Sequence, residues 1–173
     1  MDIFQAIKAR YSHKERFLPT PIPQEDLAKI IEAGLTSPSG SNAQSVHLIV
    51  LPDRASIQPL FEIARHPGLE TAPTVIALLT DCSKQQPYPN FELQDYSAAC
   101  QNILLAATSL GYSSLWLDYM FFDREIQKAA CKLFKAPENF TLQVVIPIGL
   151  PDGPGSRREK RPISERLHYK HMG

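Results

Sequence analysis

The sequence predicts an α+β fold in which a central sheet, mixed or antiparallel, is flanked by helices. Helical and strand-like patterns alternate along the chain, which indicates a sheet covered by helices. The strand-like runs are apolar enough to be interior, and one long helical pattern is apolar nearly all round. At 173 residues the chain can build one sizeable core, and its sequence has no repeat or interior linker. We therefore expect a single domain over residues 1–173.

Two amphipathic helices are expected at the start of the chain. Residues 2–10 carry apolar side chains at helical spacing, and residues 23–34 begin with proline and acids and end with glycine, as helices often do. Two short β-rich runs follow, at 46–51 and 74–80, and their apolar character predicts interior strands. The segment between them, residues 53–65, is predicted to be a helix.

The second half of the chain continues the alternation. Residues 93–111 form the longest helical pattern, and their apolar character predicts a buried helix. A strand is expected near 113–117, followed by a helix over 123–134 with Asp123 as its N-cap. The last predicted strand covers 142–148 and precedes a segment rich in proline and glycine.

The C-terminal tail is basic although the whole chain is neutral. Lys plus Arg and Asp plus Glu both number 18, so no overall field would attract nucleic acid or an anionic membrane, and neither partner is expected. Residues 157–173 hold six basic and two acidic residues, a net charge of 6 − 2 = +4. Such a tail is usually solvated, but the breaker-rich stretch at 151–156 directs it away from the last strand, and we expect it to pack elsewhere.

Cysteine and histidine spacing gives no metal or redox motif. Cys82, Cys100 and Cys131 are widely spaced and lie partly within apolar runs, so we expect reduced core residues. His168 and His171 have a ligand-like spacing, but a terminal pair without a nearby acid is more often part of a tail, and we assign no metal. The start does not resemble a signal peptide, and no apolar run approaches the ~20 residues of a membrane span, so a cytoplasmic protein is expected.

Three separated polar clusters predict a site for a phosphate-bearing cofactor. Arg10, Ser12 and Lys14 alternate along the chain, so they would share one face if the chain leaves the first helix extended. The loop at 37–44 and the basic run at 157–161 supply further donors, and a tightly held phosphate usually needs several from different segments. The alternative for the first cluster is a solvated helix end, where a basic residue complements the helix dipole.

The motifs of several enzyme classes are absent from the sequence. There is no GxGxxG after a strand, no GxxxxGK[ST] and no GxSxG, which removes the strongest support for dinucleotide, P-loop and hydrolase sites. Trp116 and Tyr119 follow a predicted strand, where a loop can meet a flat ligand. Aromatic side chains at strand ends are more often the edge of a core, and this alternative stays open.

Several motifs, taken in order, resemble those of the flavin-dependent nitroreductase family over essentially the whole chain. Arg10, Ser12 and Lys14 resemble the family's N-terminal Arg-x-Ser-x-Arg/Lys motif, and residues 37–44 resemble its Ala/Ser-Pro-Ser-x-x-Asn-x-Gln loop. Further similar segments are the start of the second helix, the central helix, the last core strand and the terminal basic motif, at residues 22–27, 95–107, 147–151 and 160–162.

This resemblance implies FMN as the cofactor, NAD(P)H as the reductant and a homodimer with FMN at the interface, on which the tail 151–173 packs. Arg10, Ser12 and the basic residues of the tail would hold the phosphate, and Lys14 would lie near the pyrimidine edge of the flavin. The flavin would carry the chemistry, so no catalytic side chain is assigned. The implied cofactor-binding residues are Arg10, Tyr11, Ser12, Lys14, Pro38, Ser39, Asn42, Gln44, Trp116, Asp118, Tyr119, Arg158, Lys160 and Arg161.

The resemblance also implies that Ser39 and Asn42 reach the flavin from the partner subunit, and that the backbone of residues 116–119 touches flavin N5. Asp118 and Tyr119 stand where many members of the family carry glycine, so the width of the pocket differs here. One additional residue before Pro23 makes Arg16 a rival of Lys14. Because the chain lacks the insertions that cover the site in longer members, we expect a more open pocket.

The function implied is an FMN-dependent oxidoreductase. It would transfer electrons from NAD(P)H through flavin N5 to a nitroaromatic, quinone or similar small acceptor by a ping-pong mechanism. An alternative is a flavin-binding storage or sensor protein without general turnover. A further alternative is an unliganded interaction domain whose basic tail binds an acidic partner.

Overall fold

A four-stranded sheet runs through the residues that the structure, a computed structural model, describes, which are 1–85 and 91–172. Its order is β1–β2–β4–β3, and each neighbouring pair is antiparallel. The strands are β1 (Val46–Leu51), β2 (Thr74–Asp81), β3 (Ser113–Ser114) and β4 (Phe140–Gly149). The sequence allowed a mixed or an antiparallel sheet, and the structure has the antiparallel one. A single parallel bridge, between Ser12 and Ser114, adds the N-terminal segment to its edge.

Helices cover both faces of this sheet. The described helices are α1 (Ile3–Ala9), α2 (Gln24–Leu35), α3 (Arg54–Ala64), α4 (Pro67–Glu70), α5 (Glu92–Ser109) and α6 (Arg124–Leu133). Side chains of β2 alternate between two cores because neighbouring residues of a strand point to opposite faces. Ala77 and Leu79 belong to the core under α3 and α6, whereas Ile76 and Leu78 belong to the core under α2 and α5. All eight residues of β2 are buried, as expected for an interior strand.

Local capping explains where two of the helices begin. The Asp53 side chain accepts a hydrogen bond from the Ser56 backbone and forms a capping box at the start of α3. The Asp123 side chain accepts from the backbone N–H groups of Glu125 and Ile126 and begins α6, which confirms the predicted N-cap. Both caps satisfy N–H groups that a helix leaves without an internal partner.

The strand predicted at 113–117 is shorter in the structure than in the sequence analysis. Regular pairing of β3 with β4 ends at Ser114, and an isolated bridge joins Leu117 to Val145 further along. Pro147 lies opposite this gap and accepts a hydrogen bond from the Leu115 N–H at 3.2 Å, but a proline has no N–H to donate in return. The interruption of the ladder therefore follows from the proline in β4.

The expectation for the cysteines is wrong for one of the three. Cys100 is buried in α5 and Cys131 is partly buried, but Cys82 is exposed. Cys82 follows directly after the last residue of β2, where the chain turns out of the sheet. Its thiol donates to the Glu92 carboxylate at 2.9 Å instead of packing in the core.

The apolar side of α1 and the C-terminal tail are both exposed in the single chain. Ile3, Phe4 and Ile7 are 54%, 73% and 51% exposed, and Ala6 is the buried residue of this helix. The tail leaves β4 as expected, and residues 152–172 are exposed throughout. Within the described parts of the chain, no helix has the length and apolar character needed to cross a bilayer.

Candidate cofactor-binding site

The Arg10–Lys14 segment leaves α1 in an extended conformation, as the predicted shared face requires. Arg10 is the C-cap of α1 with φ −61° and ψ 132°, and Ser12 pairs with Ser114 at the edge of the sheet. Ser12 and Lys14 are exposed, whereas His13 between them is fully buried. The buried imidazole bonds to the Arg16 carbonyl at 2.9 Å, which holds the segment in place. The alternating side chains therefore point outward together.

Tyr11 attaches the start of the C-terminal tail to this segment. Its hydroxyl lies 3.1 Å from the Ser113 hydroxyl, and the Arg157 guanidinium lies 5.5 Å above its ring. Arg157 also donates to the backbone carbonyls of Lys8 and Ala9, which are left open at the end of α1. Arg157, which the sequence analysis counted only among the donors of the basic run 157–161, thus fixes where the tail starts.

The remaining basic residues of the tail stay available. Arg158, Lys160 and Arg161 are exposed, and their side chains make no hydrogen bond or ion pair with the described residues. Arg10 and Lys14 also lack an ion-pair partner among the described residues. A set of unneutralised cations suits an anionic ligand such as a phosphate.

The loop at 37–44 is held rigidly by a buried carboxylate that the sequence analysis did not single out. Asp95, near the start of α5, is 2% exposed. It accepts from the Gly40 N–H at 2.8 Å and from the Ser45 hydroxyl at 2.9 Å. The Ser39 hydroxyl accepts from the Gln44 N–H at 2.9 Å and closes the loop. The sequence offered only an acid in the first turn of a predicted buried helix, which does not identify its partners.

The backbone of this loop is unusual for residues other than glycine. Ser41, Asn42 and Gln44 have φ values of 51°, 55° and 50°, in the left-handed region. Such conformations persist when surrounding contacts impose them, and here the Asp95 carboxylate supplies those contacts. Pro38 precedes these residues. The Asp95 contacts thus hold the loop at Gly40 and Ser45, on either side of the left-handed residues.

The two aromatic residues after β3, Trp116 and Tyr119, differ in burial. The Trp116 indole N–H donates to the Asp118 carboxylate at 2.9 Å, and its ring lies 6.3 Å from the ring of Tyr96. Trp116 is partly buried against the core under α5, so the core-edge interpretation fits this residue. Tyr119 is 81% exposed, and the same interpretation is wrong for it.

The pKa shifts of two side chains, Cys100 and His66, indicate which charged residues of these segments lie near them. Burial raises the pKa of the Cys100 thiol well above its ordinary value, the Asp118 carboxylate raises it further, and the Arg10 guanidinium opposes both. Arg10 and Asp118 therefore both lie within electrostatic reach of one buried side chain. Lys14 faces another neighbour: burial lowers the pKa of His66, and the positive charge of Lys14 lowers it further.

Arg16 lies in different surroundings from Lys14. It lines a separate cavity of about 310 Å³ whose other lining residues are mostly prolines and small polar side chains. These are Phe17, Pro19, Pro21, Pro52, Asp53, Arg54, Thr71 and Pro73. In the single chain, no hydrogen bond or ion pair among the described residues joins the 37–44 loop to the Arg10–Lys14 segment.

One hydroxyl beside the cationic segment is unsatisfied. Among the described residues, the Ser114 Oγ is buried and has no hydrogen-bond partner. Buried polar groups nearly always find a partner, and an exception in a native fold requires an explanation. Ser114 pairs with Ser12, so this hydroxyl lies directly behind the exposed segment and is itself closed to solvent. The donors and cations present fit a phosphorylated cofactor.

Solved structures share this fold across the whole chain. A protein of Bacteroides thetaiotaomicron with the provisional name NADH dehydrogenase/NAD(P)H nitroreductase superposes with a TM-score of 0.87 at 26% identity, covering 98% of each chain. A provisionally named nitroreductase of Desulfovibrio desulfuricans, solved in complex with FMN, gives a TM-score of 0.82 at 27% identity, covering 100% of this chain and 99% of that one. The fold is therefore that of nitroreductases.

Sequence comparison leads to the same family. The model of the nitroreductase family matches residues 7–66 and 61–150. A protein of Methanothermobacter thermautotrophicus, provisionally named NADH dehydrogenase/NAD(P)H nitroreductase, is 33% identical over 172 residues, which cover 98% of this chain and 87% of that protein. The chain belongs to the nitroreductase family.

Proposed function

We propose that this chain is an FMN-dependent oxidoreductase that carries electrons from NAD(P)H to a nitroaromatic, quinone or similar small acceptor by a ping-pong mechanism. The observation that carries the proposal is the row formed by Arg10, Ser12 and Lys14, which the extended segment after α1 presents together and whose cations have no ion-pair partner among the described residues. Membership of the nitroreductase family supports it. A related structure that contains FMN supports the choice of cofactor.

The basic and hydroxyl side chains would hold the phosphate of FMN. Arg10 and Ser12 would donate from the extended segment, and Arg158, Lys160 and Arg161 would add positive charge from the tail. Charge-assisted hydrogen bonds of this type are roughly twice as strong as neutral ones. Because Arg157 and Tyr11 fix the base of the tail beside Arg10, the tail starts close to this phosphate site.

The other site residues would orient and tune the ring. When bound, the flavin supplies hydride acceptance and return, and the chain supplies placement and charge. The Lys14 ammonium would stabilise negative charge at the pyrimidine edge. The first N–H groups of the 3₁₀ turn at Tyr119–Phe122 have no acceptor within that turn and would donate to the ring near Asp118.

The exposed apolar surfaces support a homodimer in which FMN lies at the interface. Unpaired apolar side chains of α1 flank an open groove of about 390 Å³ between α1, α2 and α5. Tail residues Ile163 and Leu167 are also exposed, at 70% and 49%. Burial of such side chains between subunits is favourable. In this arrangement the tail packs on the partner, and Ser39 and Asn42 reach the partner's flavin.

A visible spectrum of the purified protein tests the cofactor and the reaction together. FMN bands are expected after purification or FMN addition, and anaerobic NADH or NADPH should bleach them. Reoxidation by a quinone or nitroaromatic in a second mixing step would support the ping-pong order. Bands that NAD(P)H leaves unchanged would favour a storage or sensor role, and failure to bind added FMN would contradict the proposal.

The variant Arg10→Ala tests the phosphate site. Loss of a charged donor should weaken FMN affinity on the order of tenfold to a hundredfold, since hydrogen bonds to charged groups contribute about 1.5–3 kcal/mol. Titration of apoprotein with FMN, followed by fluorescence quenching, gives the dissociation constant. Arg16→Ala is the matched control, because Arg16 lines a separate cavity. Equal loss in both variants would show that the effect is one of general charge and remove Arg10 from the site.

A further inference from the structure

The cavity beside Arg16 is separate from the row formed by Arg10, Ser12 and Lys14. Its volume is about 310 Å³, and none of the three residues of that row lines it. Sites for small molecules in proteins begin at about 300 Å³, so this cavity has room for a small ligand. We call it the Arg16 cavity.

The walls of the Arg16 cavity are largely apolar and rigid. A proline ring fixes its own backbone φ and loses almost no side-chain freedom when a ligand covers it. Contact with such walls removes apolar surface from water, which favours a ligand with an apolar body. The prolines that line the cavity are Pro19, Pro21, Pro52 and Pro73, and the buried Phe17 also contributes to the lining.

Arg16 brings a positive charge to this cavity that no described residue neutralises. Its side chain is exposed and makes no hydrogen bond or ion pair with the described residues. Its backbone is fixed, because the Arg16 carbonyl lies 2.9 Å from His13 Nε2 and accepts from the Asp152 N–H at 2.8 Å. A guanidinium group presents a planar set of donors that matches the two oxygens of a carboxylate.

The two other charged residues of the lining already have partners within the protein. The Asp53 carboxylate accepts backbone hydrogen bonds as the N-cap of α3. The Arg54 guanidinium donates to the Leu69 carbonyl and, at 2.9 Å, to the Gln58 side chain. With Arg16 included, the lining carries a net charge of 2 − 1 = +1. A ligand with one negative charge would balance it.

Thr71 adds a neutral donor to the cavity. Its Oγ1 accepts from the Phe17 N–H at 3.0 Å, which fixes the position of the oxygen. A hydroxyl group can also donate its own hydrogen, and the Thr71 O–H has no acceptor among the described residues. The cavity therefore offers two kinds of donor, a guanidinium and a hydroxyl, to an oxygen-bearing anion.

We propose that the Arg16 cavity is a binding site for a small monocarboxylate with an apolar body. The carboxylate accepts hydrogen bonds from Arg16 and Thr71, and the apolar body packs against the prolines. The ligand is bound and not chemically changed there. The inference does not rest on the proposed function, because the residues proposed to hold the flavin do not line this cavity.

Isothermal titration calorimetry with cyclohexanecarboxylate and cyclohexanecarboxamide tests the recognition of charge. The two compounds share the same apolar ring, but the amide carries no negative charge. The wild type should bind the carboxylate roughly tenfold more tightly than the amide, because charge-assisted hydrogen bonds are stronger than neutral ones. This preference should disappear in Arg16→Gln. It should stay at the wild-type value in the control Arg65→Gln, which removes an exposed arginine outside the cavity.

NMR spectra recorded during the same titration locate the ligand. The backbone amide signals of Phe17 and Thr71 should shift when the carboxylate is added, both with and without FMN. Absence of binding, equal affinity of the wild type for the two compounds, or a preference that survives in Arg16→Gln would overturn the inference. So would shifts confined to residues 116–119, which would place the carboxylate at the proposed flavin site. A protein that binds the carboxylate at Phe17 and Thr71 but binds no FMN would contradict the proposed function and support this inference.

Discussion

Asp95 is the residue on which the conformation of the 37–44 loop depends. Its carboxylate satisfies a backbone N–H at Gly40 and a hydroxyl at Ser45 from a position almost closed to solvent. Three residues of the loop are in the left-handed region, a conformation that costs energy for side chains other than glycine. A single carboxylate thus compensates for a strained loop that is proposed to reach the partner's cofactor.

Asp95→Ala should destabilise the protein by about 1–3 kcal/mol, because it leaves the buried Ser45 hydroxyl and the partly buried Gly40 N–H without partners. Urea denaturation followed by circular dichroism measures this free energy of unfolding. Asp152→Ala, which removes an exposed acid near the start of the tail, is the matched control and should change stability much less. A similar stability for Asp95→Ala and wild type would mean that the loop does not depend on this carboxylate.

His66 gives the protein a pH dependence with a defined sign. Its pKa in the folded chain is lowered, first by burial and then by Lys14, so the unfolded chain binds protons more readily. Its Nδ1 also accepts from the Gly68 N–H at 3.0 Å, and protonation there would remove this acceptor. Stability should therefore fall as pH decreases through about 6.5, the ordinary pKa of histidine, towards the lowered folded value.

Comparison of wild type with His66→Gln checks this dependence. Thermal unfolding between pH 5 and pH 8 should show a loss of stability at the acid end for wild type that is smaller for His66→Gln. Acid unfolding caused by other groups is common to both proteins, so it cancels when one pH profile is subtracted from the other. Parallel pH profiles would show that His66 titrates normally in the folded chain.

At the scale of elements, the tail is attached by close backbone contact. Gly155 lies directly against the ring of Tyr11, and an added Cβ would come within 2.0 Å of a ring carbon. Real Cβ atoms do not approach this closely, so a side chain at this position displaces either the tail or Tyr11. The position of the tail relative to α1 thus depends on one glycine.

Gly155→Ala should release the base of the tail and expose the Arg157–Arg158 bond to trypsin. Limited proteolysis, quantified by mass spectrometry, should show cleavage there several times faster than in wild type. Pro154→Ala is the control, because it changes the neighbouring residue without placing an atom against Tyr11. Unaltered cleavage in Gly155→Ala would mean that the contact between Gly155 and the Tyr11 ring does not hold the tail in solution.

The elements also show which features the sequence makes predictable. The helices and the interior strands were predictable because their apolar periodicity reflects burial, and Asp123 was predictable because an N-cap is a local interaction. The shortened β3 was not, since it depends on Pro147 across the sheet. Asp95 escaped notice as a loop anchor because its partners lie 55 and 50 residues away along the chain. The different surroundings of Lys14 and Arg16 depend on the path of the chain after His13, which the sequence alone does not give.

At the scale of the whole molecule, the exposed apolar face of α1 is the feature that supports the proposed dimer. A short amphipathic helix in a protein is stabilised mainly by packing of its apolar side. In the single chain, however, the large apolar side chains of α1 are exposed. The same chain carries exposed apolar residues on its tail. Both surfaces are accounted for if two copies of the chain cover each other.

Phe4→Asp should convert the proposed dimer to a monomer and reduce FMN retention. The new acid lies in the first turn of α1, where a negative charge is compatible with the helix dipole, so the helix itself is not weakened. Size-exclusion chromatography with light scattering gives the mass, and absorbance at the flavin band gives the cofactor content. Leu18→Asp, at a less exposed apolar position outside α1, is the control. A wild type that is monomeric at micromolar concentration would contradict the dimer.

The proline that interrupts β3 also affects how the molecule avoids unwanted association. An edge strand normally offers a row of open N–H and C=O groups that another chain can extend into fibres. Here the edge consists of two paired residues, and beyond them Pro147 breaks the ladder. The N-terminal segment already pairs with this edge at Ser12, so another chain finds few open backbone groups on this side. Strand addition from another chain is thereby disfavoured at this edge, which leaves β1 at the opposite edge as the longer strand open to it.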